Sequence, residues 1–285
     1  MTVAAIGDLV AEAQRRRRAL PAFNVITLEH AEAIVAAATR SGRGLVLALS
    51  ENAIRYHDGA AEPILAAVHA LAAEVGTPLA IHLDHLTDDA LVDQAISGRL
   101  RPFVSSLMYD AGALAYDENL ARTRAVVEAG HESGLWVEAE LGYVGGKPGA
   151  ARSAHEAGVR TDPEEAASFV AETGVDALAV AVGSSHAMTT RTARLDHALI
   201  ADLRARVPVP LVLHGSSGVP DDELRRAVAA GMTKINIGTA LNVALTATVR
   251  ELLDADATLT DPRRYLAPAR TAMRDSVLHL LETLE

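Results

Sequence analysis

Pro78-Leu-Ala-Ile-His-Leu-Asp-His85 is the stretch of sequence that decides the fold, because it is a short apolar run that ends on a histidine. Similar runs precede His186 and His214, and a fourth run ends on the carboxylate of Glu140. Short apolar runs of this kind are typical of buried strands. If the four runs are neighbouring parallel strands, their C-terminal ends converge, and three imidazoles with one carboxylate can form a divalent metal site. The pattern therefore predicts a metalloenzyme.

The same kind of run recurs along the chain and alternates with Ala-rich helical stretches. We expect strands at residues 21–25, 44–50, 78–84, 103–109, 135–141, 176–183, 209–214 and 233–237. Eight such units are the count of a (β/α)8 TIM barrel, which commonly takes about 250 residues as one domain. A doubly wound open sheet is the alternative, but no Gly-x-Gly-x-x-Gly turn follows the first strand. We therefore predict an α/β chain that forms a single TIM barrel domain over residues 1–285, with an N-terminal helix and added C-terminal helices within residues 262–284.

The composition limits the classes of function that the chain can have. Its formal charge is −11, from 37 acidic and 26 basic side chains, which argues against nucleic acid as a general partner. Cysteine is absent, so any metal must be bound by His, Asp or Glu. Residues 1–20 lack the apolar core of a signal peptide, and no run reaches the roughly 18 apolar residues of a membrane span. We therefore expect a cytoplasmic protein with no membrane partner.

The end of the third predicted strand carries three polar side chains, and the face of the strand that each occupies decides whether it can reach the predicted metal site. Period-two alternation sends His82 and Asp84 to one face of the strand and His85 to the other, unless the chain has already turned into the loop. We therefore expect His85 at the tip of the strand, beside Asp84.

Two loops rich in small residues follow the last two predicted strands. They are His214-Gly-Ser-Ser-Gly218 and Asn236-Ile-Gly-Thr239. Small residues leave backbone N–H groups able to face an anion, and the helix N-termini that follow add positive potential. Ordinary turn chemistry uses the same residue types. The pair together favours phosphate, because the loops after strands seven and eight of such barrels frequently bind it.

Six motifs and the first strand follow one another in order from about residue 5 to residue 250. They are residues 21–25, His82-Leu-Asp-His85, 137–142, 161–166, 173–183, 213–220 and 234–239. Together these segments resemble the class II ketose-bisphosphate aldolases. The resemblance implies the TIM barrel fold and a zinc-dependent cleavage of a phosphorylated ketose.

The resemblance also implies a metal-binding set. His85, His186 and His214 match the three zinc-binding histidines of the family. Glu140 matches an acid that serves as a fourth ligand in the absence of substrate or supports an alternate metal position, and Asp110 matches an acid near the metal. Zn2+ is the implied cofactor, and the family adds the expectation of a monovalent cation near the phosphate.

The remaining matches concern substrate and proton transfer. Asp84 matches the acid/base residue of the family, which acts on the aldehyde oxygen. The residues that match the phosphate cradle are Gly215, Ser217, Gly238 and Thr239. Asn236 matches a contact near the reacting carbons, and Asn24 and Ser50 match further pocket residues. A Schiff-base lysine is not required, and neither Lys147 nor Lys234 is expected in a desolvating apolar pocket.

The sequence departs from the family pattern near the loop of residues 142–161. Where the family often has acids that abstract the donor proton, Lys147 and Pro148 follow two glycines. The acid in the rest of that loop is Glu156, which we assign as the candidate donor-proton base. Ala187 replaces a common glycine, and the segment that begins at Asp110 lacks a serine of the family. These departures concern substrate and turnover more than fold.

The sequence as a whole predicts a metal-dependent aldolase. Its expected reaction is the reversible cleavage of fructose or tagatose 1,6-bisphosphate to dihydroxyacetone phosphate and an aldehyde such as glyceraldehyde 3-phosphate. The alternatives are an aldolase for another phosphorylated ketose, a metal-dependent hydrolase and a sugar-phosphate-binding barrel without activity. The expected partners are a small phosphorylated sugar and further copies of the chain in a homodimer or homotetramer, as the family implies.

Overall fold

Eight parallel strands close into a barrel in the computed structural model, which describes residues 3–142, 144 and 160–285. The strands follow one another around the barrel in chain order, and the first pairs with the last. They are β1 (Leu20–Asn24), β2 (Leu45–Ser50), β3 (Leu79–Leu86), β4 (Ser106–Tyr109), β5 (Trp136–Leu141), β6 (Ala177–Val180), β7 (Leu211–Leu213) and β8 (Met232–Ile237). This confirms the predicted (β/α)8 TIM barrel.

The helices surround this barrel. Those of the described residues are α1 (Ile6–Arg15), α2 (Leu28–Ser41), α3 (Glu51–Tyr56), α4 (Ala61–Ala73), α5 (Asp89–Ile96), α6 (Tyr116–Glu132), α7 (Pro163–Thr173), α8 (His197–Arg206), α9 (Asp221–Ala230), α10 (Thr239–Ala255) and α11 (Arg263–Thr283). The predicted N-terminal helix is α1, and the predicted addition at the C-terminus is α11, which packs on α2 and α10. No helix among the described residues is both long and apolar enough to cross a membrane.

Helix α1 covers the N-terminal end of the barrel. Its apolar side chains, which include Ile6 and Val10, pack in one buried cluster with Leu20, Ala22 and Val46 from the starts of the strands. Burying a side chain such as Ile6 contributes about 1.5–3 kcal/mol. With this end filled by apolar residues, polar side chains are concentrated at the opposite, C-terminal end of the barrel.

Strand β3 carries an irregularity that the alternation of the sequence does not reveal. We expected the strand to end at Asp84, but it continues to Leu86, and its register with β4 shifts between Leu83 and Leu86. His85 has a φ of 53°, in the left-handed region that non-glycine residues rarely adopt. This break in the alternation lets Asp84 and His85, which are consecutive, both face the C-terminal end of the barrel.

Candidate metal centre

Four side chains meet at the C-terminal end of the barrel. His85, Glu140, His186 and His214 each offer one ligand atom, and these four atoms lie within 4.8 Å of one another. They come from the ends of β3 and β5 and from the chain after β6 and β7. Glu140 and His214 are buried, whereas His85 and His186 are partly exposed. The structure thus brings together the set that the sequence predicted from four separate strands.

The hydrogen bonds of two of these histidines select which nitrogen faces the cluster. Nδ1 of His85 lies 2.8 Å from Oδ2 of Asp110, and Nε2 of His214 lies 2.9 Å from Oε1 of Glu138. Because a carboxylate only accepts, each of these ring nitrogens carries the proton. The opposite nitrogens, His85 Nε2 and His214 Nδ1, lie 2.9 Å apart. Two ring nitrogens that both present lone pairs at this distance repel each other unless a cation or a proton lies between them.

The chemistry of the donors fits zinc. Three imidazoles and one carboxylate are ligand types that Zn2+ prefers, and a second hydrogen bond to a carboxylate is common for metal-bound histidines. Asp110 lies outside the four-residue cluster and instead contacts His85, while its Oδ1 accepts a hydrogen bond from Gly112 N at 3.2 Å. Its position suits a residue that orients a ligand.

Asp84 lies beside this cluster and is held by two amides. Asn24 Nδ2 donates to Oδ2 at 3.0 Å, and Asn236 Nδ2 donates to Oδ1 at 3.1 Å. Burial opposes the charge of this carboxyl, but the neighbouring imidazoles of His85 and His214 outweigh that effect and hold the pKa of Asp84 well below its usual range. Asp84 is therefore an ionised carboxylate that has a fixed orientation beside the candidate metal ligands.

A buried ion pair lies below His214, and the sequence reasoning missed it. Lys234 Nζ lies 2.8 Å from Glu138 Oε2, and both side chains are fully buried. Burial raises the pKa of Glu138, but Lys234 and His214 together lower it to about 2. The sequence predicts that Lys234 does not lie in a desolvating apolar pocket, and the buried amine contacts a carboxylate oxygen of Glu138 and the amide oxygen of Asn236. This pairing does not suit a Schiff-base nucleophile, which must be deprotonated.

A cavity of about 260 Å³ opens above these residues. Most of the predicted substrate and metal residues line it, and the sequence reasoning missed Ile26, Asn52 and Asn242 in the same wall. The predicted residues in the lining are Asn24, Ser50, Asp84, His85, His186, His214, Gly215, Ser217, Asn236, Gly238 and Thr239. Glu156 and Lys147 lie outside the described residues.

The two predicted phosphate loops form one side of this cavity. Gly215 has a φ of 66°, and a Cβ atom built on it would lie 2.6 Å from the backbone of Ser185. Gly238 directly precedes α10, and a Cβ there would lie 3.0 Å from Oδ1 of Asn24. Ser217 Oγ accepts a hydrogen bond from Ala240 N, which fixes the first loop to the first turn of α10. The glycines thus allow close approach of loops at the positively polarised end of a long helix.

The chain is similar to known proteins along nearly its whole length. The family model described as fructose-bisphosphate aldolase class-II matches residues 4–285. The chain is 34% identical over 270 residues to the D-tagatose-1,6-bisphosphate aldolase subunit GatY of Klebsiella oxytoca, which covers 95% of this chain and 93% of that protein.

Solved structures show the same fold. The YdjI aldolase of Escherichia coli K12 superposes with a TM-score of 0.84 at 28% identity, over 99% of this chain and 97% of that one. The fructose-bisphosphate aldolase of Campylobacter jejuni superposes with a TM-score of 0.83 at 21% identity, over 99% and 95% of the two chains. The second likeness bears on the fold alone.

Proposed function

The chain belongs to the class II fructose-bisphosphate aldolase family and is an aldehyde-lyase, and we propose that it reversibly cleaves a ketose 1,6-bisphosphate. The products are dihydroxyacetone phosphate and an aldehyde such as glyceraldehyde 3-phosphate. One observation carries the proposal: the amide-held carboxylate of Asp84 shares a cavity with the histidine cluster and with both small-residue loops. An aldol cleavage needs a proton acceptor, a polarising centre and a phosphate anchor within one substrate length.

The cofactor that we propose is Zn2+, which His85, His186, His214 and Glu140 would hold. When bound, zinc acts as a Lewis acid toward the oxygens of the ketose and stabilises the charge that develops there. The donor set supports this choice, since the imidazole and carboxylate ligands suit zinc. A monovalent cation near the phosphate remains part of the proposal, on the strength of the family resemblance.

Residues of the chain carry out the proton transfer and the binding of the sugar. We assign Asp84 as the group that accepts the proton of the C4 hydroxyl in cleavage and returns it in condensation. Asn24 and Asn236 keep its two oxygens oriented through their amide donors. We assign the backbone at Gly215, Ser217, Gly238 and Thr239 as the phosphate cradle, which holds the donor end of the sugar in register. Ser50 would contact the sugar as a further wall residue.

The donor-proton base is proposed from the sequence, and the assembly is proposed from the family. Glu156 stays our candidate for the base, on its place in the sequence. We also propose that residues 1–285 act as one domain and that the protein is a cytoplasmic homodimer or homotetramer, as its family membership suggests. Sedimentation of the purified protein would test the assembly, and a monomer at micromolar concentration would contradict it.

The named relative acts on the tagatose sugar, so we propose tagatose 1,6-bisphosphate as the first substrate to test, with fructose 1,6-bisphosphate as its C4 epimer. The experiment is a coupled assay for dihydroxyacetone phosphate with each sugar, before chelation, after chelation and after zinc is restored. We expect the protein to release dihydroxyacetone phosphate, to lose this activity after chelation and to regain it when zinc is restored. If chelation leaves the release of dihydroxyacetone phosphate unchanged, the proposed metal requirement is wrong. If zinc-loaded protein releases none from either sugar, neither sugar is the substrate.

A further inference from the structure

A continuous chain of hydrogen bonds joins the proton acceptor to a metal ligand through the buried ion pair. It begins at Asp84, whose Oδ1 accepts from the amide of Asn236 at 3.1 Å, and the carbonyl oxygen of that amide accepts from Lys234 Nζ at 2.7 Å. Lys234 then contacts Glu138 Oε2 at 2.8 Å, and Glu138 Oε1 accepts from His214 Nε2 at 2.9 Å. The chain joins β3, β8, β5 and the end of β7 across the interior of the barrel.

The two ends of this chain belong to the chemistry proposed above, but its centre does not touch the substrate cavity. Lys234 and Glu138 are fully buried and do not line the cavity. Replacing a buried ion pair with apolar residues of similar volume is often neutral for stability or even favourable. A stability role alone therefore gives no reason for a lysine in this place, which is one of only two lysines in the sequence.

The position of the lysine explains two orientations that a pair of apolar residues could not maintain. An amide group can turn by 180°, and the ammonium of Lys234, which only donates, makes the carbonyl oxygen of Asn236 face it. The amide nitrogen of Asn236 is then directed to Asp84. On the other side, Lys234 Nζ donates to Oε2 of Glu138, and this leaves Oε1 to accept the hydrogen bond that Nε2 of His214 donates, so that Nδ1 faces the ligand cluster.

We propose that Lys234 is a positioning residue that, through Asn236 and Glu138, fixes both the carboxylate of Asp84 and the metal-facing nitrogen of His214. The inference rests on the proposed function, because that function makes His214 a metal ligand and Asp84 the proton acceptor. It assigns one buried amine to two tasks, the orientation of a metal ligand and the orientation of the proton acceptor. Partners that orient metal ligands in this way typically change metal affinity 10–100-fold when removed.

The test separates positioning from folding with three variants. Lys234→Met removes the amine and leaves the buried carboxylate without its cation. The double variant Glu138→Leu with Lys234→Met replaces the whole pair with apolar side chains. Ser106→Ala is the matched control, because it removes a buried hydrogen bond of 2.8 Å to His82 inside the same barrel and touches none of the four ligands.

Each variant is measured for thermal unfolding of the zinc-free protein, for zinc affinity by competition with a chromogenic chelator, and for kcat and KM. We expect Lys234→Met to unfold at a lower temperature than the wild type and to bind zinc at least tenfold more weakly. The double variant should recover most of the melting temperature but keep the weak zinc binding and a lowered kcat, since His214 and Asn236 still lack their partners. Ser106→Ala should keep its zinc affinity within about twofold.

A double variant that recovers zinc affinity together with stability would overturn the proposal, because the pair would then serve folding alone. Wild-type zinc affinity in Lys234→Met would overturn it equally. If Lys234→Met does not fold, the double variant still decides whether the buried pair as a whole serves folding alone. If wild-type protein binds zinc but cleaves neither sugar, the proposed function fails, and the zinc measurements still decide whether Lys234 positions His214.

Discussion

Nδ1 of His85 and Oδ2 of Asp110 lie 2.8 Å apart, at the ends of adjacent strands β3 and β4. The contact directs Nε2 of His85 toward His214 and gives the cluster one of its nitrogens. His85 also has a left-handed backbone conformation, which costs roughly 1 kcal/mol or more in a non-glycine residue. Asp110 therefore contacts the candidate metal site through His85.

Asp110→Asn should weaken zinc binding by about 10–100-fold, because the amide takes the place of a carboxylate that orients His85 and raises its basicity. The measurement is zinc affinity by competition with a chelator. Asp89→Asn, at an exposed position in α5, is the control and should bind zinc as the wild type does. Equal affinities in both variants would mean that the hydrogen bond to His85 has no influence on the metal.

Asp84→Ala should keep the zinc and lose the cleavage reaction. The carboxylate is outside the four-residue cluster, so its removal spares the ligands, whereas the loss of a positioned proton acceptor typically costs 10²–10⁴-fold in rate. The measurements are stoichiometric zinc content and the rate of dihydroxyacetone phosphate release. Exchange of the donor's proton with solvent should be less affected, and a variant that cleaves at the wild-type rate would remove Asp84 from the mechanism.

The sequence was sufficient to predict the fold and to predict which residues of the candidate site lie together, because the candidate residues stand at the strand ends. His186 and His214 follow apolar runs, so a parallel barrel alone brings them together. The same reasoning did not reach Glu138 or Lys234, although each lies two residues before a predicted site residue and so shares its face of the strand. Their pairing depends on the register across the barrel between positions 96 residues apart. The alternation of side chains along β3 also fails at His85, because the left-handed backbone of this residue changes the direction of its side chain.

Gly215→Ala should raise KM for the phosphorylated sugar more than it lowers kcat. Its φ of 66° and the backbone of Ser185 at 2.6 Å leave no room for a Cβ, so the loop must move away from the position that we assign to the phosphate. Gly76→Ala is the control, since a Cβ at that position meets nothing within 4 Å and its φ is not in the left-handed range. Steady-state kinetics on both variants test this. An unchanged KM in Gly215→Ala would exclude its loop from phosphate binding.

His82 should make the stability of the protein depend on pH below neutrality. It is fully buried against Ser106, and burial lowers its pKa from 6.5 to about 3. Between these values the unfolded chain takes up a proton that the folded chain does not, so the free energy of unfolding rises with pH across this window and falls as the pH drops through it. At one pKa unit per 1.36 kcal/mol, the loss that His82 causes by pH 5 is about 2 kcal/mol.

The clean comparison is wild-type protein against His82→Asn, whose side-chain amide can still pair with Ser106 but does not titrate. Urea unfolding of the zinc-free proteins at pH 7.5 and pH 5 cancels the contribution of the other histidines, which both proteins share. The wild type should lose about 2 kcal/mol more than the variant over this range. Equal losses would show that the folded protein accepts the proton on His82 as readily as the unfolded chain, and that burial does not control the charge of this imidazole.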